Sequence, residues 1–296
     1  MPTYLPDTRH TSDTPLGQAQ LVLLRILRII DDICSTNHLE YWMDGGTLLG
    51  AIRHKGFIPW DDDVDLAMPR EDFEKFIAIA RTLLPDDMEL LTMDSSPPLE
   101  SYAIPCKVAD KFSEVVENGL HTPYRYKQRL SVDIIPIDNY DPPGLRRTIQ
   151  IGMKWIFRNL SKINDSRFKN TDRLHRFLCR TLDSFHPILS AEYPVKAFHG
   201  FLQRRAIPRN KGRNNRGFIG YGYGAHWTRI FHTSDVYPLQ RIKFEGHMLM
   251  APKNTDAILK VFYGNYMKLP PSEDRNKTHY VNLVTDTRTM TNTHSP

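Results

Sequence analysis

The residues best suited to chemistry are the acidic ones of "IPWDDDVDLAMP", residues 58–69. In an extended chain successive side chains alternate faces, so Asp61, Asp63 and Asp65 share one face while Asp62, Val64 and Leu66 share the other. Carboxylates at i and i+2 lie about 7 Å apart, and burying them beside apolar residues costs several kcal/mol per ion unless something compensates. A divalent cation is the simplest compensation. Hard oxygen ligands suit Mg²⁺ or Mn²⁺, which bridge a few carboxylates to substrate phosphates. A calcium-binding EF-hand loop does not fit, because Leu66 stands where its glycine belongs and Asp72 replaces its bidentate Glu. Taken alone, the run also fits a solvated acidic turn ahead of the next helix.

Two further features favour the metal reading. Gly45 and Gly46, followed by Thr47, come after a short strand and open a helix, where bare backbone N–H groups can receive a phosphate. In "SVDIIPID", Asp133 stands alone in an apolar strand, where an uncompensated carboxylate is costly. Glycines at a helix start, a D-x-D on the next strand and a carboxylate on a later strand form the ground plan of a nucleotidyltransferase fold. In such a site two metals clamp the attacking and leaving oxygens of an in-line phosphoryl displacement. Asp63 and Asp65 are then the principal metal ligands and catalytic carboxylates. Asp133 joins them and accepts the acceptor's proton, and Asp61 is a further ligand.

The surrounding pattern predicts elements able to position these groups. A helix is expected over 17–38 with Arg25, Arg28, Asp31 and Asp32 on its wet side, then strands at 39–43 and 64–68. Pro69 is expected at the first position of a helix carrying Phe73, Phe76, Ile77 and Ile79. Strands follow in "MELLTM", "SYAIPCKVAD", "SEVV" and "LSVDIIPID". "QRIKFEGHMLMAP" reads as a hairpin, "NTDAILKVFYGNYM" as a helix, and the Gly- and Asn-rich "RRAIPRNKGRNNRGFIGYGYG" as a loop. The expected class is α+β, a mixed sheet flanked by helices with a basic helical insertion. Its segments are a disordered leader at 1–16, a catalytic core at 17–143, the insertion at 144–216, the rest of the catalytic domain at 217–284, and a disordered tail at 285–296.

The wording of "DGGTLLGAIRHKGFIPWDDDVDLAMPREDFEKF" resembles the signature of the LicD family, to which fukutin-related proteins are also similar. "VDIIPID", "CKVADK" and "FEGHMLMAPKNTDAILKVFYGNYMKLPPSEDR" follow in the family's order, so that the resemblance spans residues 40–140 and 240–280. It implies transfer of a phosphorylated alcohol, in many members phosphocholine from CDP-choline, to a sugar hydroxyl of a surface glycan or its lipid-linked precursor, with release of CMP. It also maps the family's metal carboxylates onto Asp63 and Asp65 with Asp61 and Asp133, and its phosphate-facing glycines onto Gly45 and Gly46. The segment after Lys107 departs from the family pattern, which leaves the acceptor side open.

A diphosphate donor calls for cations, and Arg53, His54, Lys55, Lys107 and Arg275 are the candidates, each equally readable as a solvated surface group. A quaternary ammonium head would use aromatic faces; Trp60, Tyr263 and Tyr266 are available, with core packing preferred for Trp60. The net charge of +5 conceals an asymmetry: residues 144–216 hold 17 Lys+Arg against 4 Asp+Glu, or +13, leaving −8 elsewhere. That region suits an anionic membrane surface, an anionic glycan or lipid diphosphate acceptor, or simply the wet side of helices, and no recognisable fold supports nucleic acid as the partner. Cys34, Cys106 and Cys179 are too few and too scattered for a disulfide framework or a thiolate zinc site. With no secretory signal pattern, the reading is a cytoplasmic protein, peripheral at the inner face of the membrane. Its rivals are a nucleotidyltransferase, a D-x-D glycosyltransferase and a non-catalytic binding protein.

Overall fold

The structure, a computed structural model, describes residues 5–92, 95, 105–117, 128–164, 217–222, 229–275 and 280–288. Helix α1 (Pro15–Thr36) starts where Thr14 accepts from the Gly17 amide and Pro15 fills the first helical position. Ala19, Val22, Leu23, Ile26, Leu27, Ile30 and Ile33 recur at helical spacing and are all buried. Arg25 departs from expectation. It is buried, with Nε donating to the Leu5 carbonyl at 2.7 Å and its guanidinium paired with Asp87 at 2.8 Å, partners that make the burial tolerable.

The chain continues through β1 (Trp42–Met43), α2 (Gly45–Arg53), β2 (Val64–Pro69) and α3 (Arg70–Leu83). Pro69 stands one position earlier than expected, as the cap that ends β2, and Arg70 begins the helix. Next come β3 (Met88–Thr92), β4 (Cys106–Asp110), β5 (Glu114–Glu117), β6 (Ser131–Tyr140) and α4 (Leu145–Asn164). Beyond residue 216 the described chain resumes with β7 (Phe218–Tyr221), β8 (Ile230–His232), the short α5 (Thr233–Val236), β9 (Gln240–Phe244), β10 (His247–Ala251), α6 (Thr255–Tyr263) and β11 (Tyr280–Val284). The fold is mixed α+β. No helix among the described residues is long and apolar enough to cross a membrane.

Among the described residues the main sheet has seven strands, ordered β1-β2-β6-β4-β3, with β7 on β6 and β8 on β7. β2 and β6 run parallel, and the other pairs are antiparallel. β6 is the spine: it pairs with β2 and β4 through its first half and with β7 through its last four residues. The expected hairpin is β9–β10, turned by Glu245 and Gly246, both at positive φ as a two-residue turn requires. β7 lies in the stretch read as loop. Its interleaved glycines hide the strand pattern, and pairing with β6 supplies what propensity does not.

The ends of the chain also differ from expectation. Residues 5–14, expected within a disordered leader, are packed: Arg9 is fully buried, paired with Asp110 at 2.5 Å and Asp7 at 2.9 Å, and donates to the Thr285 carbonyl. Residues 285–288, expected within the tail, close over them. Arg288 reaches Asp7 at 2.9 Å and Asp286 at 2.6 Å, and His10 meets Asp286 at 2.8 Å. Composition marks both ends as polar but cannot show that their charges find partners more than a hundred residues away. Residues 1–4, 165–216 and 289–296, which hold the rest of the leader, most of the insertion including Cys179, and the rest of the tail, lie outside the described residues.

Candidate active site

Three neighbouring strands carry one polar row. Asp65 of β2 is in register with Asp133 of β6, and Asp133 is in register with Lys107 of β4. Asp133 is the one residue of β6 that is not fully buried, and Lys107 is the one such residue of β4. In β2 only Asp65 and the terminal Pro69 break the buried pattern. The sheet therefore opens to solvent along this row. Two carboxylates directly opposite on adjacent strands repel, so the pairing needs a counter-charge. Lys107 supplies part of it, with Nζ 2.9 and 3.1 Å from the two oxygens of Asp133. Lys107, a candidate for phosphate contact, is thus engaged with Asp133.

The acidic loop continues the row. Burial alternates from Asp61 to Leu66, with Asp61, Asp63 and Asp65 half-buried and Asp62, Val64 and Leu66 buried. Gln20 of α1 pins the loop by donating to the Asp61 carbonyl at 2.9 Å. The start of α2 faces these carboxylates. Gly45 has φ +48°, and a Cβ there would lie 3.3 Å from Asp65 Oδ2; at Gly46 it would lie 3.1 Å from Asp61 Oδ2. Side chains would narrow the gap between the helix's unpaired first-turn amides and the carboxylates. Thr47 is buried and accepts from the Asp65 amide at 2.9 Å, tying α2 to β2.

Behind the glycines sits Asp44, buried, its carboxylate accepting from the Tyr221 hydroxyl and its amide donating to the Asp65 carbonyl at 3.0 Å. Burial pushes its carboxyl up to about 6, against the hydrogen bonds from Tyr221 and the Gly45 amide. Asp65 is raised well above the usual carboxylate range by burial first, then by Asp63, Asp133 and Asp44, with Lys107 opposing. Tyr263 overhangs the cleft. Its hydroxyl lies 3.8 Å from the Cβ position at Gly45, and burial with four surrounding carboxylates raises its phenol. Among the described residues Asp63, Asp133 and Asp44 thus all press on Asp65, an arrangement that attracts a cation or a cationic ligand.

Residues 38–94, which contain the glycines and the acidic loop, match the family model described as LicD/FKTN/FKRP, nucleotidyltransferase domain. The chain is 26% identical to the lipopolysaccharide cholinephosphotransferase LicD of Haemophilus influenzae over 276 residues, 89% of this chain and 96% of that protein. The chain carries a LicD-family nucleotidyltransferase domain. More local likenesses are to the human ribitol 5-phosphate transferase FKRP and to an uncharacterised Rickettsia prowazekii protein, RP689. The first is 39% identical over 71 residues, 24% of this chain and 14% of that protein. The second is 41% identical over 56 residues, 19% of this chain and 21% of that protein. The LicD-family domain supports a transferase activity.

The other expected residues of the LicD-family site divide. Arg53 stands near Tyr263, Arg275 and Asp61, close enough to feel their charge. Arg53 donates to the Tyr266 carbonyl at 3.0 Å and to His54 Nε2 at 2.8 Å. His54, its pKa lowered by burial and by Arg53, serves as a neutral acceptor. Arg275 stacks over Trp60 at 5.8 Å. Lys55 is exposed on a positive-φ turn, and no described contact joins its ammonium to the carboxylates. Of the three aromatics only Tyr263 overlies the glycines; Tyr266 turns its hydroxyl to Asp256 at 3.0 Å. Sequence reasoning missed Asp44 and Tyr221. The one signal was an acidic residue directly ahead of the glycine pair. Among the described residues no three or more His, Cys, Asp and Glu form a ready-made ion cage.

Proposed function

We propose that this protein transfers a phosphorylated alcohol, phosphocholine from CDP-choline, to a sugar hydroxyl of a cell-surface glycan or its lipid-linked precursor at the cytoplasmic face of the membrane. The observation that carries the reading is the in-register Asp65–Asp133–Lys107 row opening beside the glycine start of α2. Phosphocholine is favoured because the Haemophilus relative, alignable over most of both chains, is named a cholinephosphotransferase. The human relative's name offers ribitol phosphate as the next alcohol to test. The catalytic unit is taken as residues 17–143 with 217–284, and residues 144–216 as an insertion.

The donor set suits Mg²⁺ or Mn²⁺: Asp63 and Asp65, with Asp61 and Asp133, offer only carboxylate oxygens, and Mg²⁺ completes its shell with water and substrate phosphate rather than a closed protein cage. The crowding that raises Asp65 is the physical reason a cation would be held. When bound, the metal neutralises the diphosphate and polarises the phosphorus under attack. The amides of Gly45, Gly46 and Thr47 receive phosphate oxygens at the positive end of α2. Arg53 and Arg275 screen the departing CMP. The Asp133 carboxylate, oriented by Lys107, takes the proton of the sugar hydroxyl as its oxygen bonds to phosphorus and the bond to CMP breaks. Tyr263 offers its ring to a quaternary ammonium head.

The test is CMP release from CDP-choline, CDP-ethanolamine, CDP-glycerol and CDP-ribitol, with glycan lipids of the host as acceptors. Mg²⁺-dependent release from CDP-choline is expected, abolished by chelation. Retention of the nucleotide phosphorus on the glycan would instead show nucleotidyl transfer, and inactivity with every donor would favour a binding protein.

A further inference from the structure

Over residues 145–156, helix α4 is turned inside out. Its buried positions are polar: Gln150 accepts from the Asp141 amide at 2.9 Å, and Lys154 donates to the Tyr221 carbonyl at 2.5 Å. Beside Arg146 and Thr148, its exposed positions are apolar: Leu145 (78%), Ile149 (52%), Ile151 (44%), Trp155 (63%) and Ile156 (43%). With about 3.6 residues per turn these five fall on one side of the helix, opposite Gln150 and Lys154. A surface helix of a soluble domain normally shows the reverse arrangement, and a contiguous exposed apolar stripe marks an interaction face.

The charge of the helix identifies what that face meets. Residues 145–164 contain five Lys and Arg and no Asp or Glu, and the following residues 165–216 add twelve Lys and Arg against four Asp and Glu. Arg146 is exposed beside the apolar side, while Arg147 lies over the Phe218 ring at 3.9 Å. A second copy docking symmetrically would bring the same cations face to face, so self-association is disfavoured. We propose that the outer face of α4 is an interfacial helix that lies flat on an anionic phospholipid surface, its Leu and Ile side chains entering the headgroup boundary and its flanking cations meeting lipid charge.

Docking there would fix the orientation of the active corner. Lys154 and Tyr140 both donate to the Tyr221 carbonyl, at 2.5 and 2.8 Å, and the Tyr221 hydroxyl holds Asp44 behind the α2 glycines. A lipid-borne acceptor would then reach a site held in fixed relation to the bilayer. Lipid binding does not depend on which group the site transfers, so its failure would leave the reaction reading untouched.

The experiment is co-sedimentation of the full chain with phosphatidylcholine vesicles, with and without phosphatidylglycerol, at low and high salt. Binding is expected only with phosphatidylglycerol, weakening with salt as surface charge is screened. The double variant Leu145→Ser/Ile149→Ser should bind at least tenfold more weakly. Arg146→Glu, at an exposed position that leaves the fold intact, should weaken binding by well over the roughly fivefold that one surface cation contributes, because it also reverses the charge. Equal binding to neutral vesicles, no binding to phosphatidylglycerol, or variants that bind like the parent would overturn the proposal. So would light scattering that shows a dimer in the absence of lipid which Leu145→Ser/Ile149→Ser dissolves, because a second copy would then cover the face.

Discussion

Two regions of this molecule gather carboxylates, and they treat them in opposite ways. In the clasp that joins the chain ends, Asp7, Asp110 and Asp286 each meet an arginine, and hydrogen bonds from Arg9 and Arg288 outweigh burial to hold Asp7 and Asp286 below the usual carboxylate range. In the LicD-like corner, Asp44 and Asp65 are raised by burial, and Asp65 further by its acidic neighbours. β6 shows the same contrast within one strand. Asp138 is buried against Arg70 at 2.7 Å, whereas Asp133 meets Lys107 at 2.9 Å at the edge of the acidic row. In the clasp arginine hydrogen bonds lower the carboxylates, whereas in the corner burial and neighbouring carboxylates raise them.

Substitution should separate the two regions most sharply in turnover. Asp65→Asn is expected to lower the rate of CMP release roughly a thousandfold while leaving the thermal midpoint unchanged or higher, because it removes a charge from a repelling cluster. An active variant, or an unfolded one, would break the contrast. Arg9→Met should do the opposite. Leaving Asp110 buried without its guanidinium should cost about 3–5 kcal/mol in urea unfolding, with the activity of the folded fraction unaltered.

The pH dependence should have opposite signs. Asp44, raised from 3.8 to about 6, favours the folded state fully below pH 3.8 and loses that contribution as pH rises through about 6. In metal-free protein Asp44→Asn should therefore be the more stable form at pH 7, by up to about 3 kcal/mol, with the difference vanishing near pH 4. Asp7 and Asp286, both lowered, contribute above pH 3.8 and lose that contribution in stronger acid. Asp286→Asn should accordingly be less stable than the parent at pH 7 and equal to it in strong acid. The smallest effect is expected from Tyr221→Phe, which deletes one buried donor to Asp44. It should lower stability by about 1–2 kcal/mol and raise the KM for the nucleotide donor more than it lowers kcat.

The parts of this corner set by local pattern could be read from the sequence. Period-two alternation placed Asp61, Asp63 and Asp65 on one face, and a glycine pair after a short apolar run marked the start of α2. What could not be read was registration between distant segments. Nothing local tells that Asp133 lies opposite Asp65, or that Lys107 pairs with Asp133. Asp44 looks like an ordinary helix cap until Tyr221 arrives over it. The clasp was missed for the same reason: Arg9 and Arg288 are plain surface cations by composition, and only their partners on other elements make them structural.

Tyr221 lies 177 residues beyond the aspartate it holds, and Tyr263 later still. A nascent chain that has delivered α1 through β6 already carries Asp61, Asp63, Asp65, Asp133 and the glycines, but neither tyrosine. On the ribosome the acidic corner is thus present before it is braced, and the brace arrives only after residues 144–216 have been synthesised and β7 has joined the sheet.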